Sequence, residues 1–273
     1  MKPQYDAGLW YRQIPLRHSV RAYDGRSVPG DMLDGLRPFL SGFSELCHGA
    51  RGVFLSDAGD LFTGIVGPFG RITGASSVVV FIGDTSVPEY MEGLGYLGEG
   101  IILHATSLGL GTCWVSGTFD RSRALSRVTL GPNERLVAVT PLGFSAEREH
   151  TGQKLLSKLA RSRERKPIDA IAGGLPSSRW PPGVRKALEA ARLAPSAMNR
   201  QPWFFEVAGD GITLSVRGPG SGYGSSKRLD CGIALLHFEV AARALGIEGN
   251  WKLMEPPSVA KFTFEAGKSA PLT

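Results

Sequence analysis

Cysteine is scarce in this chain of 273 residues: there are three, Cys47, Cys113 and Cys231. An odd count with no CxxC pair excludes a disulfide framework and a zinc knuckle, which leaves buried free thiols in a reducing compartment as the reading. No metal site is expected. Long apolar runs are lacking too. Val78 to Ile82 and Ile101 to Leu103 are short segments, whereas a helix crossing a bilayer needs roughly 20 apolar residues, and Met1 to Asp6 carry no apolar leader core. A soluble, cytoplasmic protein without a membrane partner is expected. Helix-turn-helix, zinc and RNA-recognition signatures are missing as well, so a net charge of +6 does not indicate a nucleic-acid partner.

Much of the basic excess falls in one window, Lys154, Lys158, Arg161, Arg163, Arg165 and Lys166, offset by Glu164. Such a window is either a solvated helix with Leu155, Leu156 and Leu159 turned inward or the contact for an anionic partner. With 42% hydrophobic residues and a mean hydropathy of −0.04, the chain can bury a proper core. Glycine is abundant at 36 residues, against about 19 at average usage, which fits a loop-rich fold with tight turns.

An internal repeat organises the chain. Gly95 to Gly109, followed by Trp114, aligns without a gap on Gly232 to Gly246, followed by Trp251, at a constant separation of 137 residues. Each copy has apolar residues at helical spacing and a glycine where a left-handed C-terminal cap is cheapest, so each predicts a buried helix. Val28-Pro29 to Leu36 and Trp180-Pro181 to Leu188 both read as proline-started helices. Strands are expected over 52–55, 77–82, 204–207 and 212–216. Helices and strands without regular βαβ alternation favour an α+β fold. The join is placed in the basic segment Thr151 to Pro167, giving repeats over 1–165 and 166–273.

Two short segments carry the chemistry. In Ala194-Pro195-Ser196-Ala197-Met198-Asn199-Arg200-Gln201-Pro202-Trp203, a proline, small residues and two amides at a helix-to-strand turn place hydrogen-bonding groups at a surface without filling it, which suits the polar edge of a flat heterocycle; a plain Pro-Ser turn accounts for part of the same string. In Arg17-His18-Ser19-Val20-Arg21, two arginines and a hydroxyl can chelate a phosphate or the pyrimidine oxygens of a flavin, or lie on a solvated strand.

Both segments resemble the FMN-dependent nitroreductase family. The first matches its Ala-Pro-Ser-x-x-Asn-x-Gln-Pro-Trp pattern at every fixed position, and the second its Arg-x-Ser-x-(Arg or Lys) signature. Arg71, six residues ahead of the apolar strand, is similar to the family's basic residue that reaches the flavin, although Pro68 stands near the usual asparagine. Gly109 to Gly117 resembles the stretch whose backbone approaches flavin N5, with Ser116 in place of the glutamate of some members and Gly117 allowing close approach. Arg163-Glu164-Arg165-Lys166-Pro167 resembles the basic ending whose cations hold the FMN phosphate.

The resemblance implies a nitroreductase-like α+β fold in which two tandem repeats make an intramolecular pseudo-dimer. The Arg17, His18, Ser19, Arg21, Arg71, Ser116, Gly117, Arg163, Arg165 set and the Pro195, Ser196, Ala197, Asn199, Gln201 set would form one composite site, for which a monomer suffices. It further implies FMN as cofactor, NADH or NADPH as reductant, and a small nitroaromatic- or quinone-like acceptor, with no catalytic side chain beyond the flavin itself. The alternative is a non-catalytic flavin-binding, storage or sensor protein.

Overall fold

The structure, a computed structural model, describes residues 3–67, 70–146, 164–218 and 226–265. It divides into two compact units: Met1–Gln4 with Leu16–Arg163, and Tyr5–Pro15 with Glu164–Thr273. In the middle of the chain the unit changes at Arg163/Glu164, and residues 5–15 fold with the second unit. Its helix α1 (Ala7–Gln13) carries Trp10, 1% exposed and stacked on Tyr5 at 4.4 Å, and the Tyr5 hydroxyl donates to Glu239 Oε1 at 3.1 Å.

The first unit is built on a four-stranded antiparallel sheet of order β1-β2-β4-β3, from β1 (Ala50–Ser56), β2 (Ser77–Asp84), β3 (Gly111–Thr112) and β4 (Glu134–Gly143). The β-branched and aromatic run Val78 to Ile82 makes β2 a central strand, buried from Ser77 to Gly83. Val80 pairs with Val53 on one side and Val139 on the other, and a bulge at Phe81/Ile82 shifts the register toward Leu136. A short helix α2 (Gly30–Leu36) follows Pro29, and a long helix α3 (Tyr90–Ser107) is buried from Glu92 to Leu103. A helix that is apolar all round belongs in a core. Its glycines are packing devices. A Cβ on Gly98 would enter the Trp114 ring, and one on Gly93 would come 2.7 Å from the Leu46 carbonyl. A further helix, α4 (Arg121–Leu125), is capped by Asp120.

The second unit has a five-stranded sheet of order β5-β6-β7-β9-β8, from β5 (Ala172–Gly174), β6 (Trp203–Val207), β7 (Gly211–Val216), β8 (Gly249–Leu253) and β9 (Ser258–Phe264). The β5/β6 pair is parallel and the others antiparallel. Its helices are α1, α5 (Ile168–Ile171), α6 (Val184–Arg192) and α7 (Lys227–Ala244). Buried His237 of α7 places Nδ1 3.1 Å from the Ala190 carbonyl of α6. Phe238, Trp251 and Phe262 meet edge to face at 5.2–5.5 Å, joining α7 to the sheet.

Helices α3 and α7 are both 18 residues long, and the 137-residue spacing of the sequence repeat holds at both ends, Tyr90 to Lys227 and Ser107 to Ala244. Expected strands 52–55, 77–82, 204–207 and 212–216 fall inside β1, β2, β6 and β7.

Candidate functional site

In the first unit the stretch Leu16 to Tyr23 has no strand of its own and is pinned residue by residue. Ser19 bridges Thr112 in parallel, with Val20 N donating to the Thr112 carbonyl at 2.8 Å, and Ala22 bridges Thr73, whose N donates to the Arg21 carbonyl at 2.9 Å. Three sequence-predicted segments, 17–21, 71–73 and the start of 111–117, are therefore side by side. Arg21 and Trp114 line a pocket of about 50 Å³ with Gly67, Gly70 and Thr118. His18 is exposed, its Nδ1 3.1 Å from the Leu16 carbonyl. Arg71, Ser116 and Gly117 are exposed. A Cβ on Gly117 would meet nothing within 4 Å, so packing inside the unit does not demand glycine there.

Arg17 differs from its neighbours. Its side chain is 6% exposed and points at the fully buried Glu99 of α3, with Nε to Oε1 at 3.7 Å. That separation is an ion pair and too long for a hydrogen bond, and the buried Nε has no hydrogen-bond partner among the described residues. The other carboxylate oxygen, Glu99 Oε2, accepts from Trp114 Nε1 at 2.7 Å. A lone acid in the buried helix run Leu97-Gly98-Glu99-Gly100-Ile101 is the signal that could have placed Glu99 in this set.

In the second unit the Pro195 to Trp203 string forms a tight turn between α6 and β6. Ser196 Oγ accepts from Gln201 N at 2.9 Å, and Asn199 N donates to the Ser196 carbonyl at 3.0 Å. Pro195, Ser196 and Ala197 are half-buried, and Met198 is 39% exposed. The structure brings Arg165 onto this turn: its Nη1 donates to Asn199 Oδ1 and its Nη2 to the Leu193 carbonyl, both at 3.2 Å. Asn199 Nδ2 donates to the Glu164 carbonyl at 2.8 Å, and buried Gln201 accepts Lys166 N at 2.8 Å through Oε1. The two amides thus seat the basic segment. Lys166 Nζ donates to the Gln201 carbonyl at 2.9 Å, and partial burial lowers its pKa from the ordinary lysine value. Arg163 lies outside the described residues.

The residue that sequence reasoning missed here is Asp230, 1% exposed in the first turn of α7. Its Oδ1 accepts Ala197 N at 3.0 Å and its Oδ2 lies 3.3 Å from Arg200 Nη2. Burial pushes its carboxyl up to about 7, against the opposing pull of the Ala197 N–H and the Arg200 guanidinium. In sequence it reads as an ordinary first-turn acid, and the turn it holds is more than 30 positions away.

Among the described residues no His, Cys, Asp and Glu group could hold a metal ion, and no helix is long and apolar enough to cross a membrane.

A family model described as "Putative TM nitroreductase" matches residues 10–242. Among solved structures, a putative nitroreductase from Thermotoga maritima is 21% identical, with 96% of each chain covered and a TM-score of 0.63, which shows the shared fold. An FMN-dependent nitroreductase from Clostridium difficile is 18% identical over 56% of this chain and 96% of that one, TM-score 0.41. A nitroreductase with bound FMN from Bacteroides fragilis is 20% identical over 52% of this chain and 93% of that one, TM-score 0.42. No curated protein matches.

Proposed function

The chain belongs to the putative TM nitroreductase family, and from that premise we propose that it is an FMN-dependent oxidoreductase passing electrons or hydride from NADH or NADPH to a small oxidised acceptor of nitroaromatic or quinone type. One observation carries the reading: Arg17 is a guanidinium almost wholly withdrawn from water, 3.7 Å from its carboxylate and with an Nε that has no hydrogen-bond partner among the described residues. A buried cation without full hydrogen bonding is costly. A ligand rich in anionic or carbonyl oxygens would relieve it, and the arginine fork matches phosphate and imide oxygens. FMN offers both, so the residues fit it.

When bound, FMN supplies the hydride- and electron-transfer chemistry. The chain supplies binding and field. Arg17, Arg21 and Arg71 bring positive charge that favours an electron-rich bound ring. Ser19 and the Ser196-Ala197 turn offer hydroxyl and backbone donors, and Arg163 and Arg165 serve the phosphate. Ser116 and Gly117 contribute backbone rather than a catalytic side chain. One FMN per chain is expected, because Arg17-x-Ser19-x-Arg21 occurs in one unit alone and Pro195-Ser196-x-x-Asn199-x-Gln201 in the other alone. The shared length and 137-residue spacing of α3 and α7 support a tandem repeat, for which a monomer is the sufficient species.

Purified full chain should be yellow, release one FMN per chain on denaturation, and bleach anaerobically with NADH or NADPH. Colourless protein that gains no flavin absorbance with FMN refutes the reading, and a ratio near two refutes the single site. Yellow protein that neither reductant bleaches supports the storage or sensor alternative.

A further inference from the structure

The turn from Ser196 to Gln201 is held in a backbone conformation that its side chains disfavour. Met198, Asn199 and Gln201 have φ of 52°, 52° and 49°. This is the left-handed region, which asparagine tolerates and long side chains resist. Such a run persists where its surroundings over-determine it, and that is characteristic of ligand clamps.

The anchors divide into three kinds, of which the bonds of Asn199 and Gln201 to the Glu164–Lys166 segment are described above. Ser196 Oγ to Gln201 N and Asn199 N to the Ser196 carbonyl lie within the turn and would move with it. Asp230 belongs to an 18-residue helix buried over most of its length. Its carboxylate reaches both ends of the Ala197–Arg200 segment, taking Ala197 N on one oxygen and Arg200 on the other, while Arg200 Nε donates back to the Ala197 carbonyl at 3.1 Å. The helix does not need Asp230 for its own cap, because Ser226 Oγ already accepts Arg228 N at 3.2 Å. A carboxylate at 1% exposure is therefore retained for what it does to the turn.

We propose that Asp230 is a positioning residue that clamps the Ala197–Arg200 turn from α7 and so preorganises the second unit's part of the flavin site. The proposal rests on the FMN reading above. Without the clamp the turn relaxes out of the left-handed region, and flavin binding must then supply the ordering that the helix now supplies.

The test uses flavin-free full-length protein and its Asp230→Asn, Arg200→Gln and double variants, titrated with FMN by fluorescence quenching. Asp230→Asn should raise the FMN dissociation constant about tenfold, Arg200→Gln a few-fold, and the double variant no further than Asp230→Asn, because both residues act through one network. The flavin-free thermal midpoint of Asp230→Asn should stay level or rise, since the buried charge is removed; a purely structural residue would lower it and leave FMN affinity unchanged. Hydrogen exchange of the Ala197 and Gln201 amides should quicken in either variant without any flavin present. Affinity within twofold of the parent, additive effects, or unchanged exchange overturns the proposal. Should Asp230→Asn not fold, Arg200→Gln carries the same affinity and exchange tests. A parent protein that takes no FMN refutes the functional reading, whereas the exchange result judges the clamp by itself.

Discussion

Replacing Asp230 by asparagine should change how stability depends on pH, and the size can be worked from its surroundings. The carboxyl faces the Ala197 N–H at 3.0 Å and the Arg200 guanidinium at 3.3 Å, yet burial outweighs both and lifts it from the ordinary aspartate value of 3.8 to about 7. Between those values the folded chain holds a proton that the unfolded chain has released. Stability from this group is therefore fully present below pH about 4, falls as pH rises, and is lost above pH about 7. At 1.36 kcal/mol per pH unit the whole loss is about 4 kcal/mol, of which roughly 3 kcal/mol falls between pH 5 and pH 8. Asparagine can still accept from Ala197 N, though through a neutral and weaker bond, and it carries no charge to desolvate. The stability difference between variant and parent should thus move in the variant's favour by roughly 3 kcal/mol from pH 5 to pH 8, other titrating groups cancelling in the difference. Urea unfolding of the flavin-free proteins at the two pH values measures it. A difference constant to within about 0.5 kcal/mol would show that Asp230 ionises freely and that burial does not govern it.

Other perturbations separate the two units. Arg17→Lys keeps the charge opposite Glu99 but removes the planar fork, so FMN affinity should fall about tenfold in a quenching titration, while Lys186→Glu on the exposed face of α6 should leave it unchanged. Trp114→Phe removes the 2.7 Å bond to buried Glu99 and should cost about 1.5–3 kcal/mol in denaturant unfolding. Trp10→Ala, at a side chain 1% exposed, should cost about 3–5 kcal/mol, with the loss reported by β6–β9 amides in hydrogen exchange because α1 folds with the second unit. Equal loss of protection in β1 and β2 alone would contradict that assignment.

How much of this was legible in the sequence depends on whether the deciding contact is local. Strands β2 and β6 announce themselves through β-branched and aromatic runs, whereas β4 hides behind Arg135 at its start and Pro141 within it, although Pro141 pairs with Val78 in the sheet. Strands β8 and β9 are carried by the Phe238, Trp251 and Phe262 cluster, which assembles only in three dimensions. Helices α3 and α7 show in the sequence through their repeat, their apolar spacing and the glycine that follows each copy. Repeat bounds of 1–165 and 166–273 place residues 7–13 with the first half, whereas the Tyr5 hydroxyl beside helix α1 finds Glu239 at a separation of 234 residues.

The candidate site divides the same way. Its short motifs lie in contiguous stretches and are readable. The buried carboxylates beside them, Glu99 and Asp230, lie in long, largely buried helices and act on residues 82 and about 30 positions away, as the Arg17 ion pair and the Ala197 and Arg200 contacts show. An isolated acid in such a helix bears a desolvation cost that packing cannot offset. Its presence is a local trace of a distant cation or N–H, so Glu99 could be flagged from sequence, whereas Asp230 reads as an ordinary first-turn acid, and neither partner could be named. That asymmetry explains why contiguous motifs are easier to read than the distant carboxylates packed against them.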